Sequence, residues 1–247
     1  MRLKLHISPC PNDTFMFDAL VNGRIDTGSL RFEVEYHDIE ELNRGAGLGR
    51  ADISKISCAV LPAIAEHYAL LDSGAALGRG NGPLLVRRAG DTRPIRRVAV
   101  PGLHTTANAL MGKLFSRIAA AVERGDFDAG VLIHEGRFVY RERELELVAD
   151  LGQLWEHRTA LPLPLGGIAA RRSLPDEVRH EAERLLRTSI EYAFTHPEAS
   201  RTYIKQHAQE LDDKVIDAHI ALFVNGYSLS LGDEGRRAIE ALTGVIP

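Results

Sequence analysis

The sequence has little cysteine, no long hydrophobic run and no excess of basic charge. Its two cysteines, Cys10 and Cys58, stand among 247 residues, too few for a disulfide framework or, on their own, for a four-ligand zinc site. No run of about 18 apolar residues exists, which excludes a membrane-spanning helix. The net charge is −4 and the arginines are scattered among carboxylates, so nucleic acid is not the expected partner.

The composition is that of a soluble globular protein, with 45% hydrophobic and 26% charged residues. The chain is long enough for one large domain or two small ones. Near its start, Lys4 and His6 interrupt the apolar residues and Pro9 ends them, so residues 1–14 do not form the apolar part of a signal peptide. The alternation of apolar and polar residues near the start of the chain predicts a strand there. We therefore expect a cytoplasmic protein.

Short β-like runs alternate with helical stretches, which predicts an α/β fold. Strands are predicted at 3–7, 31–36, 52–57, 68–73, 84–87, 97–100, 129–133 and 145–149. Helices are predicted at 14–21, 39–45, 58–67, 105–124, 175–196, 197–206, 212–227 and 232–243.

Two turn-rich segments, 89–94 and 161–167, are predicted to be crossings between two lobes. Residues 1–90 together with 170–247 would then form the first lobe, and residues 91–169 the second. A ligand cleft is expected between the lobes, a common place for small-molecule sites. The alternative is one continuous sheet.

The first candidate site is the loop 8–14, between a predicted strand and an apolar helix. Asn12 or Asp13 can cap the helix, and the free N–H groups of its first turn favour an anion. A well-capped turn without a ligand explains the same residues equally well. Cys10 is expected to be a small buried thiol rather than a nucleophile, because no base lies nearby in sequence.

Two further candidates follow in the first half of the chain. Alternation puts Lys55 and Ser57 on one face of a predicted strand, where an amine and a hydroxyl suit a carboxylate or ketone oxygen; a solvated lysine is the simpler interpretation. The glycine-rich loop 78–82 carries Arg79 but lacks the lysine and spacing of a phosphate loop. Its glycines permit either close backbone approach to a ligand or a flexible turn.

Two candidates lie in the second predicted lobe. Thr105 and Thr106 open a helix after a strand and a glycine turn, so hydroxyls and N–H groups there can hold a carboxylate. His134 follows the apolar run 129–133, at the strand end that faces the crevice in open α/β sheets. It is a candidate general base; a histidine satisfied by a core hydrogen bond is the alternative. Glu135 would point to the other face, and HEGRF is not HExxH, so zinc is not indicated.

Taken together, these segments resemble the 1,4-dihydroxy-6-naphthoate synthase family of menaquinone biosynthesis. The resemblance runs in order through almost the whole chain. The matching motifs are SPCPNDTF at 8–15, SKIS at 54–57, SGAALGRGNGPL at 73–84, VPGLHTTA at 100–107, IHEGRF at 133–138, LPLPLGGI at 161–168 and VNGYSL at 224–229.

The resemblance implies a two-lobed fold similar to type 2 periplasmic binding proteins, used by a cytoplasmic enzyme without metal or organic cofactor. The implied substrate is a small aromatic carboxylate, cyclic dehypoxanthine futalosine, and the products are 1,4-dihydroxy-6-naphthoate and dihydroxyacetone. By motif position, His134 is the implied proton acceptor. The implied substrate contacts are Lys55, Ile56, Ser57, Thr105 and Thr106, with Ser8, Asn12 and Arg79 as weaker cleft candidates.

The chain departs from the family where 113–117 runs on without the longer segment that family members carry there. We expect that this stretch is missing from the sequence rather than truly deleted, because a lobe without an internal strand would expose the edges beside it. Two competing functions are a non-catalytic solute-binding protein of the same fold and a sister chorismate dehydratase. The loop motifs around 8–14 and 133–138 favour the naphthoate synthase.

Overall fold

The computed structural model describes residues 1–111, 122, 124–133, 136–208 and 212–247. Its strands are β1 Arg2–Ile7, β2 Arg31–Tyr36, β3 Ile53–Ser57, β4 Tyr68–Leu70, β5 Ala76–Gly78, β6 Leu84–Arg88, β7 Val98–Ala99, β8 Ala129–Leu132, β9 Leu145–Asp150 and β10 Leu163–Arg171. Its α-helices are α1 Pro11–Val21, α2 Ile39–Gly47, α3 Leu61–Ile64, α4 Thr106–Met111, α5 Gly136–Val139, α6 Leu151–Thr159, α7 Asp176–Thr195, α8 Arg201–His207, α9 Asp213–Phe223, α10 Gly226–Leu229 and α11 Gly232–Thr243. Short 3₁₀ turns occupy Cys58–Val60, Tyr140–Arg143 and Pro197–Ser200.

The first sheet has the strand order β2-β1-β3-β10-β4, and β5 also pairs with β10. β1 runs parallel to β2 and β3, whereas β10 runs antiparallel to β3, β4 and β5. Helices α1 and α7 cover one face of this sheet, and α3 and α11 cover the other. Coverage on both faces explains why β3 is buried at every position.

The second sheet has the order β7-β8-β6-β9. β6 is antiparallel to β8 and β9, and β7 is parallel to β8. Separate apolar clusters lie around Val86 and Val131. The α/β class is therefore confirmed, and two sheets replace the continuous sheet that was the alternative. Among the described helices, none has the length and apolar character needed to cross a bilayer.

The chain does not cross between the lobes at either of the two predicted segments. Segment 89–94 joins β6 to β7 within the second sheet; it is polar because it is a solvent-exposed turn, in which Arg93 pairs with Asp91. Segment 161–167 falls largely inside β10 of the first sheet, where a shift of register between Pro164 and Gly166 accommodates the proline. The chain instead leaves the first sheet between β5 and β6 and returns to it before β10, earlier than residues 90 and 170.

Two glycines bring the backbones together where the chain enters the second sheet. A Cβ placed on Gly82 would lie 2.3 Å from the Cα of Gly152, at the start of α6. Real Cβ atoms do not approach other atoms this closely, so the close approach of the two backbones requires glycine at position 82. Gly82 lines the cleft described below.

Several predicted helices have different limits. α1 begins at Pro11 rather than residue 14, because proline suits the first turn, where its missing N–H is not needed. Neither Asn12 nor Asp13 caps it; Cys10 is the N-cap residue and makes no side-chain cap bond. The helix predicted at 58–67 is a 3₁₀ turn followed by the single turn α3. The one predicted at 105–124 is described as a helix over Thr106–Met111, and the segment 113–117 lies outside the described residues.

Candidate active site

The candidate active site is a cleft between the two lobes, beside the ends of β1 and β3, and it encloses about 80 Å³. Its polar lining comes from both lobes: Ser8, Asn12, Lys55, Ser57, Asn81, Thr105, Thr106 and Arg137. Its apolar lining includes Ile39, Ala76, Pro83, Ala107, Ile133, Leu165 and Phe223. An apolar wall with a few converging polar groups is typical of a small-molecule site.

A buried ion pair lies on the first-lobe side of the cleft. Lys55 Nζ is 3.1 Å from Asp13 Oδ1, and the two side chains are 7% and 0% exposed. Asp13 Oδ2 accepts hydrogen bonds from the Ser8 N–H (3.1 Å) and the Ser8 hydroxyl (2.7 Å), and Asn12 Nδ2 donates to Oδ1 at 2.8 Å. The negative group at the start of α1 is therefore the protein's own carboxylate, and Lys55 is not a solvated lysine.

The ammonium of Lys55 retains donor capacity. A lysine has three N–H donors, and within the described ranges Nζ completes no hydrogen bond of good geometry, the contact with Asp13 included. Lys55 and Ser57 both line the cleft, as alternation predicted, while Ile56 between them is fully buried in the core between β3 and α3. Lys55 can therefore donate to an anion in the cleft.

Behind Asn12 the network continues to α9. His219 Nε2 lies 3.0 Å from Asn12 Oδ1, and both residues are buried. Phe223, one turn further along α9, lines the cleft. The contact fixes which way the Asn12 amide faces, and with it the amide N–H that supports Asp13.

Asn43 of α2 joins the two lobes. Its Oδ1 accepts from the Ser57 N–H at 2.8 Å, and its Nδ2 donates to Ser57 Oγ (2.9 Å) and to the carbonyl of His104 (3.0 Å). The carboxylate of Glu40 also contacts His104. Its Oε2 accepts from the His104 backbone N–H at 3.0 Å, and its Oε1 lies 2.5 Å from His104 Nδ1. One face of α2 therefore holds the loop that leads into Thr105.

The two threonines use their hydroxyl protons within the protein. Thr105 Oγ1 donates to the carbonyl of Gly102 (2.9 Å) and accepts from the Asn108 N–H (3.2 Å), which caps α4. Thr106 Oγ1 donates to the carbonyl of Leu165 in β10 at 2.8 Å. Both residues line the cleft, but their hydroxyls shape its wall rather than offer a proton to a carboxylate.

Arg137, in α5, holds the glycine-rich loop. Its guanidinium donates to the carbonyls of Gly80 and Gly82, each at 2.8 Å. Burial lowers the pKa of Arg137 below the usual arginine value. The cleft thus has a second cation, which comes from the second lobe.

The structure brings six predicted residues to the cleft: Ser8, Asn12, Lys55, Ser57, Thr105 and Thr106. Ile56 does not line the cleft, because its side chain is fully buried in the core. Arg79 does not line the cleft; it is half-exposed and pairs with Glu234 at 3.0 Å. His134 lies outside the described residues, although Ile133 before it and Arg137 after it both line the cleft.

Sequence reasoning missed Asp13 as a partner of Lys55, and it missed Asn43, Arg137 and His219. Arg137 stood inside the motif IHEGRF, where its spacing of three from His134 was a usable signal. Asn43 and His219 lie in ordinary helical sequence far from their partners, so no local pattern marks them.

Comparison with known proteins sets this geometry in a family. A family model described as "Menaquinone biosynthesis" matches residues 3–246. A protein named 1,4-dihydroxy-6-naphtoate synthase, from Thermus thermophilus, is 45% identical over 97% of this chain and 92% of its own. The chain belongs to the 1,4-dihydroxy-6-naphthoate synthase family. The resemblance found in the sequence is confirmed, and it assigns the chain to an enzyme family of menaquinone biosynthesis.

Solved structures confirm the fold expected for this family. The crystal structure of protein AF1704 from Archaeoglobus fulgidus has a TM-score of 0.92 and 34% identity, covering 98% of this chain and 95% of that one. A Candida albicans protein described as having the generic periplasmic binding protein fold has a TM-score of 0.70 at 12% identity, covering 100% and 92%. The second likeness shows the fold alone.

Proposed function

We propose that this chain converts cyclic dehypoxanthine futalosine to 1,4-dihydroxy-6-naphthoate with release of dihydroxyacetone, as a carbon–carbon lyase. The family assignment and the two-lobed cleft support this reaction. The cytoplasmic location expected from the sequence stays a prediction.

The observation that carries the proposal is the Lys55–Asp13 pair. The substrate class is an aromatic carboxylate, and Lys55 offers a buried ammonium whose position is set by Asp13. Ser57 adds a hydroxyl whose oxygen accepts from Asn43. A fixed donor in a closed cleft stabilises a carboxylate or a developing oxyanion without having to reorganise, which is the usual way such sites lower a barrier.

His134 is the proposed general base. It follows β8, between two residues that line the cleft, and an imidazole accepts a proton near neutral pH. In the proposed step it removes the acidic proton beside the substrate's ketone, giving an enolate. Elimination then expels the sugar-derived fragment, and aromatisation of the new ring makes the step irreversible.

The cleft must open to admit this substrate. Its volume of about 80 Å³ is well below the roughly 300–1,000 Å³ typical of ligand pockets. The contacts of α2 with His104 cross between the lobes, so they are among those that opening must break. Closure over the substrate would then exclude water from the enolate.

The decisive assay follows naphthoate absorbance after purified protein is mixed with cyclic dehypoxanthine futalosine. His134→Ala should lower turnover at least about a hundredfold, since general-base catalysis is typically worth about 10²–10⁴. His67→Ala is the matched control, because His67 is exposed and does not line the cleft. An active His134→Ala enzyme would refute the base.

Two other outcomes have distinct signatures. A solute-binding protein would be stabilised by the ligand without turnover. A chorismate dehydratase would consume chorismate and leave the futalosine derivative untouched. Either result would overturn the proposed reaction while leaving the fold as described.

A further inference from the structure

Outside the cleft, three metal-ligating side chains meet at the edge of the first sheet. His6 in β1 is paired in register with Glu35 in β2, and His37 follows the end of β2. The ligand atoms of these three residues all lie within 4.8 Å of one another. None of the three lines the cleft. We propose that His6, Glu35 and His37 form a binding site for a divalent transition-metal ion such as Zn²⁺.

The distances fit tetrahedral coordination. Ligand atoms held about 2.0–2.1 Å from Zn²⁺ in a tetrahedron lie about 3.3 Å from one another. Glu35 Oε2 is 3.4 Å from His6 Nε2 and 3.2 Å from His37 Nε2. Two of the three edges therefore match already, and the third, between the two histidines, is no longer than 4.8 Å.

Glu41 supplies the outer partner that such histidines use. Glu41 lies in the first turn of α2, and its Oε2 is 3.3 Å from His37 Nδ1. Metal-bound histidines usually donate their second ring N–H to a carboxylate, which fixes the tautomer and orients the ring. With Nδ1 held by Glu41, the lone pair of His37 Nε2 faces the proposed ion.

His6 provides the independent observation. The residue is only 5% exposed, and its Nε2 forms no hydrogen bond of good geometry with any described residue. Buried polar atoms are nearly always satisfied, and a metal ion would satisfy this one.

The surrounding charges set the strength of the site. The positive charges of Lys4 and Arg50 act on His6 through Coulombic repulsion, and they oppose a bound cation. The carboxylates of Glu35 and Glu41 offset these positive charges. A bound ion would tie β1, β2 and the start of α2 together. Because α2 carries Glu40 and Asn43, it would brace the helix that holds the second-lobe loop. This role is separate from the proposed chemistry, for which no metal is implied.

The test uses the full chain after chelator treatment, titrated with Zn²⁺ in competition with a chromophoric chelator and, in parallel, with Co²⁺. We expect one equivalent to bind, with the intense visible bands of tetrahedral Co²⁺. His37→Gln and Glu35→Gln should abolish this binding. Both side chains are partly or largely exposed, so these variants are expected to fold. Glu41→Gln should weaken binding about 10–100-fold, as loss of an outer partner does.

His67→Gln is the control, since this exposed histidine has no part in the cluster and should leave the stoichiometry at one. The proposal fails if no Zn²⁺ binds, if the bound Co²⁺ has the weak spectrum of octahedral coordination, or if His37→Gln and Glu35→Gln bind as the parent does. In the last case the ion would occupy other histidines.

Discussion

Replacing Asp13 by asparagine should destabilise the protein far more than the small change in shape suggests. Asp13 accepts hydrogen bonds from Ser8 and Asn12, and its carboxylate lies 3.1 Å from the Lys55 ammonium. An asparagine offers one acceptor oxygen and adds an N–H₂ group among those donors, while the ammonium of Lys55 remains buried without its counter-charge. Removing one partner of a buried pair typically costs about 3–5 kcal/mol, and we expect Asp13→Asn to fall in that range.

Urea unfolding followed by circular dichroism gives the free energy of unfolding for each variant. Lys55→Met removes the buried cation and leaves the Asp13 carboxylate with its donors from Ser8 and Asn12, so its cost should be smaller. The double variant should be less destabilised than the sum of the two, because no unpaired charge remains. A loss below about 1 kcal/mol for Asp13→Asn, the range of exposed pairs, would refute the claim that this pair is desolvated.

Three further predictions follow from individual side chains. Burial holds the pKa of His6 below its ordinary value, so the folded state resists protonation and the stability of the protein should fall as pH drops below about 6.5. Thermal unfolding of metal-free protein across that range should show a smaller loss of stability in His6→Gln than in the parent. Burial raises the pKa of the Cys58 thiol to about 12, so iodoacetamide should label it only after unfolding, and native protein labelled at Cys58 would contradict its burial. Arg79→Ala should keep turnover within about twofold and cost at most about 1 kcal/mol, because its pairing with Glu234 is half-exposed; a large loss of turnover would place Arg79 in the site.

The fold was predictable wherever local pattern and tertiary environment agreed. The alternation in β1 identified that strand within a residue of its limits, and the helix predicted at 232–243 has the same limits in the structure as α11. The segment that became β10 was misinterpreted because its prolines and glycines are turn formers in most contexts. In the structure Gly166 is required by close packing instead: a Cβ there would lie 2.7 Å from the carbonyl oxygen of Ile56. Only the neighbouring strand reveals that reason.

The same distinction between local sequence pattern and tertiary contacts applies to the candidate site. Lys55 and Ser57 could be predicted because strand alternation is local. Asn43 could not be predicted, because its side-chain amide forms hydrogen bonds with residues that are 14 and 61 positions away in the chain. The threonines were correctly expected at the cleft, but the use of their hydroxyl protons depends on Gly102 and Leu165. Composition and spacing contain no information about those carbonyls.

The contact between Gly82 and Gly152 has a consequence for which molecules the cleft can accept. Side-chain walls adapt, because a rotamer change moves them by an ångström or more. Here the backbones of Gly82 and Gly152 are already in contact, so the wall formed by Gly82 and Pro83 cannot move toward Gly152. A bulkier ligand therefore cannot displace this part of the wall toward Gly152. Discrimination by ligand width at this end of the cleft is therefore a property of the main chain, and exchanging the lining side chains would leave it in place.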